Sequence, residues 1–199
     1  AAKLLRHRLP WRPLADGTSF DLVFHADALT AVMLLVVAIV ALLVHLFSLA
    51  YMAQDPGKGR YFGWLGLFTT SMNGLLLAGH VIQLFIFWEL VGLCSYALIG
   101  FWYLKPVAGF ASTKAFLMNR LGDVLLLIGT GLLLFGTGLG DIGFIPHAPE
   151  ALMQDPYLPW AMALMLCGTV AKSAQVPLQG WLPDAMAGPT PVSALLHAA

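Results

Sequence analysis

The stretch Phe85-Ile86-Phe87-Trp88-Glu89-Leu90-Val91-Gly92-Leu93-Cys94-Ser95-Tyr96 puts one carboxylate near the middle of an apolar run of membrane length. Between residues 79 and 99 there is no other Asp, Glu, Lys or Arg. A charge at the bilayer centre costs roughly 2.5–3.5 kcal/mol on insertion scales. A chain that keeps Glu89 there has a use for it and a partner that makes it tolerable.

The surrounding composition agrees with a membrane setting. Of 199 residues, 59% are hydrophobic and only 10% charged, and the mean hydropathy is +0.82. Soluble domains carry about a quarter charged residues, so this is an all-α, polytopic integral membrane protein. The net charge of zero gives no sign of a nucleic-acid partner. Cys94 and Cys167 both lie in apolar runs, and there is no CxxC, Cys/His cluster or Gly-rich phosphate loop. The sequence therefore offers no metal site and no cofactor-binding site. Lys3, Arg6, Arg8 and Arg12 are interleaved with Pro10, Trp11 and Pro13, with no apolar core behind them, so the N-terminus is not a signal peptide. The chain begins without Met and stops inside an apolar run, which reads as an internal fragment.

Residues 1–27 are expected to form an extramembrane, irregular segment, with a turn at Asp16-Gly17 and a strand or hairpin arm from Ser19 to His25. Residues 28–199 are expected to be the transmembrane part. Five complete spans are placed at 28–51, 61–79, 81–103, 112–139 and 158–176, and a sixth begins near Pro191. Lys58, Arg60, Lys105 and Lys114 lie near two loops that are two spans apart and so on one side, while Asp141, Glu150 and Asp155 lie in the loop one span further, on the other side. The positive-inside rule puts the basic loops in the cytoplasm. The basic N-terminal stretch then falls outside, against the rule.

The intramembrane polar residues are the candidate site. Glu89, Gly92, Tyr96 and Gly100 recur at helical spacing, so one face is small and polar. Arg120 and Asp123 are spaced to pair on one helix face. Lys172 precedes Ser173, Pro177 and Pro183, and neither proline can donate a helical hydrogen bond. A break near residues 173–183 should leave free carbonyls beside the lysine, as at ion sites in transporters. His197, with Thr190 and Ser193 before it, supplies a group that titrates near neutrality. The competing reading is structural: polar residues that only hold helices together.

Several blocks resemble one family. They are Phe87 to Tyr96 with Ile99-Gly100-Phe101-Trp102-Tyr103, Lys114-Ala115-Phe116, Asn119-Arg120-Leu121-Gly122-Asp123, Lys172-Ser173-Ala174-Gln175, and the run from Trp181 to His197. From about residue 20 to the end the chain is similar to the antiporter-like membrane subunits of respiratory complex I, the chain L or mitochondrial-type chain 5 family of NADH–quinone oxidoreductase. The resemblance implies an antiporter-like helix bundle, of which this is one truncated half-channel. It implies proton translocation coupled to quinone reduction elsewhere, as a subunit of a translocase.

Carried over, Glu89, Lys172, His197 and Asp123 would move protons, and Arg120, Ser173, Pro177, Pro183, Thr190 and Ser193 would support them. Glu89 and Lys172 would tune one another's charge. His80 departs from the Asn expected before this motif. NADH, FMN, iron–sulfur clusters and quinone would belong to partner subunits. Partners would be other membrane-arm subunits, above all the adjacent antiporter-like one, and lipid. The setting would be a bacterial inner membrane, ahead of a mitochondrial inner or thylakoid membrane. A subunit of a multi-subunit sodium/proton antiporter, a ferredoxin- or F420H2-driven relative, and a non-transporting scaffold stay open alternatives.

Overall fold

The computed structural model describes residues 5–13, 19–138, 140–143 and 154–198. Helix α1 (Ala28–Tyr51) starts where the Asp27 carboxylate accepts the Thr30 N–H at 2.7 Å. Val37, Ala41, Val44 and Ser48 form its buried stripe. Leu35, Ile39, Leu42 and Leu46 on other faces are exposed. A helix apolar all round, with its smaller residues turned inward, suits lipid outside and protein inside.

Helices α2 (Lys58–Leu76) and α3 (Val81–Ile99) form the expected tight antiparallel pair. Helix α4 (Pro106–Gly131) continues into a π-helical turn, Leu132–Gly136. Helix α5 (Leu158–Lys172) is followed by two 3-10 turns, Gln179–Trp181 and Asp184–Ala187, and by α6 (Thr190–Ala198). Several expected boundaries move. The third span ends at Ile99 with Gly100 as its cap, and two residues beyond its end Phe101 O accepts from Arg60 Nη2–H at 2.9 Å. The fourth span begins six residues early, with Pro106 in its first turn where a missing N–H costs nothing.

The count of five complete spans is also narrower. Among the described residues, three helices are long and apolar enough to cross a membrane: Ala28–Tyr51, Val81–Ile99 and Pro106–Gly136. Helix α2 has length but carries Lys58, Arg60, Thr69, Thr70, Ser71 and Asn73. Helix α5 stops at Lys172 after 15 residues, about 22 Å, against a hydrocarbon core of about 30 Å.

The N-terminal segment is not irregular where it is described. Strand β1 (Leu5–Pro13) pairs antiparallel with β2 (Ser19–Ala26), with a bulge between Pro10 and Arg12. The chain is thus mainly helical rather than all-α. The hairpin grips one end of the bundle. Gly79 N–H donates to Val23 O at 2.8 Å, His25 N–H to Leu77 O at 3.0 Å, and Val23 N–H to the buried Gln83 Oε1 at 3.0 Å. On the other side of the same turn, Val81 N–H donates to Gly140 O and Ile142 N–H to Gly79 O. Arg6 and Arg8 both pair with Asp141. Two of the basic N-terminal residues that run against the positive-inside rule, Arg6 and Arg8, therefore sit beside an acidic loop residue that offsets them.

The opposite end is closed by loop contacts. Trp102 Nε1–H donates to Asp55 Oδ2 at 3.0 Å, and Gly57 N–H to Asp55 Oδ1 at 2.7 Å. Arg60 lies over the Phe101 and Tyr103 rings and Lys105 over Trp102. The inner core joins Ala41, Val44, Tyr61, Leu65, Phe68, Cys94, Leu98, Val192 and Leu195 from α1, α2, α3 and α6.

Glycines set the α4–α5 contact. A Cβ at Gly168 would meet Leu126 Cβ at 2.7 Å, and one at Gly129 would meet Ala161 O at 2.8 Å. Gly168→Val should therefore lower the stability of the full-length protein by about 1–3 kcal/mol, read as a fall in its thermal unfolding midpoint. An unchanged midpoint would mean that the two helices separate freely. At the loop end, the Trp102 and Gly57 donors hold the Asp55 carboxyl below its ordinary range. A depressed carboxyl contributes stability above the unfolded value of about 4, and loses it as pH falls through the folded value. Protection of the Gly57 amide, corrected for intrinsic exchange, should stay flat above about pH 4 and drop below it.

Candidate functional site

Four charged side chains meet where α3, α4 and α5 cross. Arg120 on α4 pairs with Glu89 on α3. Asp123, one turn further along α4, has a side chain only 4% exposed. Its Oδ2 lies 3.9 Å from Arg120 Nη1 and 3.8 Å from Lys172 Nζ. The charges alternate along the series Glu89, Arg120, Asp123, Lys172 and cancel. At 3.8 Å and an effective dielectric of about 20, the Asp123–Lys172 attraction is about 4 kcal/mol. Removing an ion from water costs several kcal/mol. The two are of one scale, so small changes in separation decide which charge state is favoured.

The expected direct tuning of Lys172 by Glu89 is not the arrangement found. Glu89 takes Arg120, and Lys172 faces Asp123. The reason is the α3–α4 crossing, which brings Arg120 within reach of Glu89 first. Gly92 from the small stripe does approach the lysine: a Cβ there would lie 2.8 Å from Lys172 Nζ. Gly100 likewise admits Ser112, whose Oγ would meet a Cβ at 2.8 Å. Arg120 also lies over the Phe116 ring, 4.5 Å from its centroid.

Lys172 ends α5, as its prolines require. Ala174 follows with φ of 51° in the left-handed region, and the Val176–Pro177 peptide is cis. The freed carbonyls are not left open. Ser173 O accepts from Gln175 Nε2 at 3.1 Å and Gln179 O from Leu182 N–H at 3.2 Å, while the buried indole Trp181 Nε1–H donates to Ala171 O at 3.1 Å, beside the Ala174 N–H. Lys114 Nζ–H donates to Asp184 Oδ2 at 2.6 Å, which ties the segment after the break to the first half of α4.

A cavity of about 220 Å³ opens from this cluster, lined by Asp123, Arg120, Lys172, Trp88, Asn119 and Trp181 among others. Lys172 Nζ and Asn119 Oδ1 lack a hydrogen-bond partner. Two unmet polar atoms on a cavity with room for several waters make it fit for hydration. Glu89, His197, Thr190, Ser193 and Ser173 do not line it. His197 is exposed in the last turn of α6, Ser193 is buried, and Thr190 Oγ1 lies 3.5 Å from Tyr51 Oη. Pro183 precedes the second 3-10 turn. Among the described residues no group of His, Cys, Asp and Glu could hold a metal ion.

Sequence reasoning missed Trp88, Trp181, Lys114 and Asp184. A buried indole needs an acceptor for its N–H, and that demand was the available signal for the two tryptophans. Arg120→Met would leave Glu89 without its cation. It should cost the full-length protein about 1.5–3 kcal/mol of stability, and adding Glu89→Gln should restore most of that, measured by thermal unfolding. No recovery in the double variant would separate the two residues.

Residues 78–199 match the family model for the NADH:quinone oxidoreductase/Mrp antiporter transmembrane region. Residues 11–62 match that for the NADH-ubiquinone oxidoreductase (complex I) chain 5 N-terminus. The chain is 51% identical over 190 residues to NAD(P)H-quinone oxidoreductase chain 5 of Synechocystis sp., covering 93% of this chain and 28% of that protein. It is 48% identical over 193 residues to NADH-quinone oxidoreductase subunit L of Mycobacterium tuberculosis, covering 95% and 30%. The chain thus spans less than a third of the length of these relatives. Among solved structures, it is similar to the Mrp complex from Dietzia sp., with 33% identity, a TM-score of 0.83, and 98% of this chain and 21% of that one covered. It is also similar to an archaeal membrane-bound sulfane sulfur reductase, with 25% identity, a TM-score of 0.77, and 92% and 36% covered.

Proposed function

This chain belongs to the NADH:quinone oxidoreductase/Mrp antiporter transmembrane family, and from that premise we propose that it forms part of a proton-translocating membrane subunit of an NADH–quinone oxidoreductase. Residues 28–199 supply most of one half-channel, and residues 1–27 an extramembrane segment whose strands β1 and β2 clamp one end. The carrying observation is Lys172: a buried ammonium at a helix break, without a hydrogen bond, 3.8 Å from a nearly inaccessible carboxylate and facing a cavity.

The proton path runs through the alternating charges. Holding Asp123 near Lys172 favours the ammonium. Doubling their separation gives up about 2 kcal/mol, the scale of the ~2.3 kcal/mol needed to move one charge against 100 mV. Closing Arg120 onto Asp123, away from Glu89, would weaken the hold on the lysine and release its proton into the hydrated cavity. Glu89 would exchange protons on the α3 side, and His197 would receive them on α6. Ser173, Pro177, Pro183, Thr190 and Ser193 keep the break and the start of α6 in place.

The electron donor chemistry and quinone site belong to partner subunits, and the neighbouring antiporter-like subunit is the expected contact. The basic loops face the cytoplasm of a bacterial inner membrane. A second reading, a subunit of a sodium/proton antiporter, draws on the similarity to the Mrp complex.

Lys172→Met in the full-length parent, assembled and in sealed vesicles, tests the proposal. Donor-driven proton uptake should fall at least tenfold while assembly holds, with or without sodium. Uptake at the normal level would reduce the chain to a scaffold. Counterflow that requires sodium would favour the antiporter reading.

A further inference from the structure

Trp88 adjoins Glu89 in sequence but serves a different partner. Its Nε1–H donates to Asp123 Oδ1 at 2.7 Å, and its ring stands 5.5 Å from Lys172 Nζ. Asp123 therefore divides its oxygens. Oδ1 is held by a neutral donor, while Oδ2 stands 3.9 Å from Arg120 and 3.8 Å from Lys172. Both distances exceed a hydrogen bond. A carboxylate free to turn would close on one cation to about 2.8 Å, where charge-assisted bonds form. Rotating to do so would give up the indole bond, itself short and charge-assisted. An indole donates and never accepts, so it can hold the carboxylate without taking part in proton transfer.

We infer that Trp88 is a positioning residue, whose indole N–H pins Asp123 so that Oδ2 remains shared between Arg120 and Lys172. This rests on the relay reading given above. Sharing matters because a cation locked to Asp123 is trapped, whereas one at 3.8 Å can be handed over by a small movement. The tryptophan sets the resting point from which either cation can win.

The test uses the full-length parent in its assembled complex in sealed vesicles, with uptake and quinone reduction measured per assembled complex. Trp88→Phe keeps a ring and loses the N–H, Trp88→Leu loses both, and Lys172→Met is the control. Protons taken up per quinone reduced should fall about tenfold in Trp88→Phe, as in Trp88→Leu, in keeping with a hydrogen bond to a charged group. The infrared carboxylate band that disappears in Asp123→Asn should shift in Trp88→Phe. Packing alone would move neither.

Uptake in Trp88→Phe within twofold of the unmodified protein, with the carboxylate band unmoved, overturns the inference. If Trp88→Phe impairs assembly, Trp88→His decides, since it keeps a ring with an N–H. Uptake well above that of Trp88→Leu supports pinning, and uptake equal to it overturns pinning. Normal uptake in Lys172→Met sinks the relay itself, whereas loss there with normal Trp88→Phe sinks only the role of the indole.

Discussion

An ammonium group at the broken end of α5 is the constraint on which the rest of the bundle depends. Lys172 has no hydrogen-bond partner and one carboxylate at 3.8 Å. In a low-dielectric setting such a group is tolerable only if opposite charge and room for water are close. Asp123 supplies the first and the cavity the second. Asp123 is buried in turn, and its charge is balanced by Arg120, which is balanced by Glu89. Each member is acceptable because of the next.

Helix α4 is the spine that makes this series geometrically available. It carries Arg120 and Asp123 one turn apart, and its glycines let α5 approach closely. Lys114, near its other end, holds Asp184 beyond the break. One helix thus touches the broken segment on both sides of Lys172. Tight small-residue packing on one side and an ion pair on the other leave the lysine end well placed while the backbone between is irregular. Gln175 Nε2 donates to Ser173 O and Leu182 N–H to Gln179 O, so the two carbonyls that the prolines free are both met.

The two ends of the bundle are stiffened by different means. At one, the β-hairpin, the α2–α3 turn and residues 140–142 share backbone hydrogen bonds, with Asp141 between two arginines. At the other, Asp55, Arg60 and Lys105 meet Phe101, Trp102 and Tyr103, a mix of aromatic faces and charges suited to a membrane interface.

Composition and apolar length were enough to read helices in a membrane, since a lipid solvent leaves few alternatives. The break after Lys172 was equally legible, because proline lacks an N–H wherever it is placed. Glu89, Asp123, Arg120 and Lys172 stood out for the same local reason: charge is costly in an apolar run. Pairing was not legible. Which cation Glu89 takes depends on how α3 crosses α4, and crossing is set by glycines and ring contacts between residues far apart in the chain. Strand β1 was missed because its partner lies across residues 14–18 and its prolines argue locally against a strand. His197 was grouped with the relay by sequence, yet the fold leaves it off the cavity. Local chemistry identified the expensive groups, and the way the helices cross assigned their partners, because pair energies depend on distances of a few ångströms that sequence spacing does not carry.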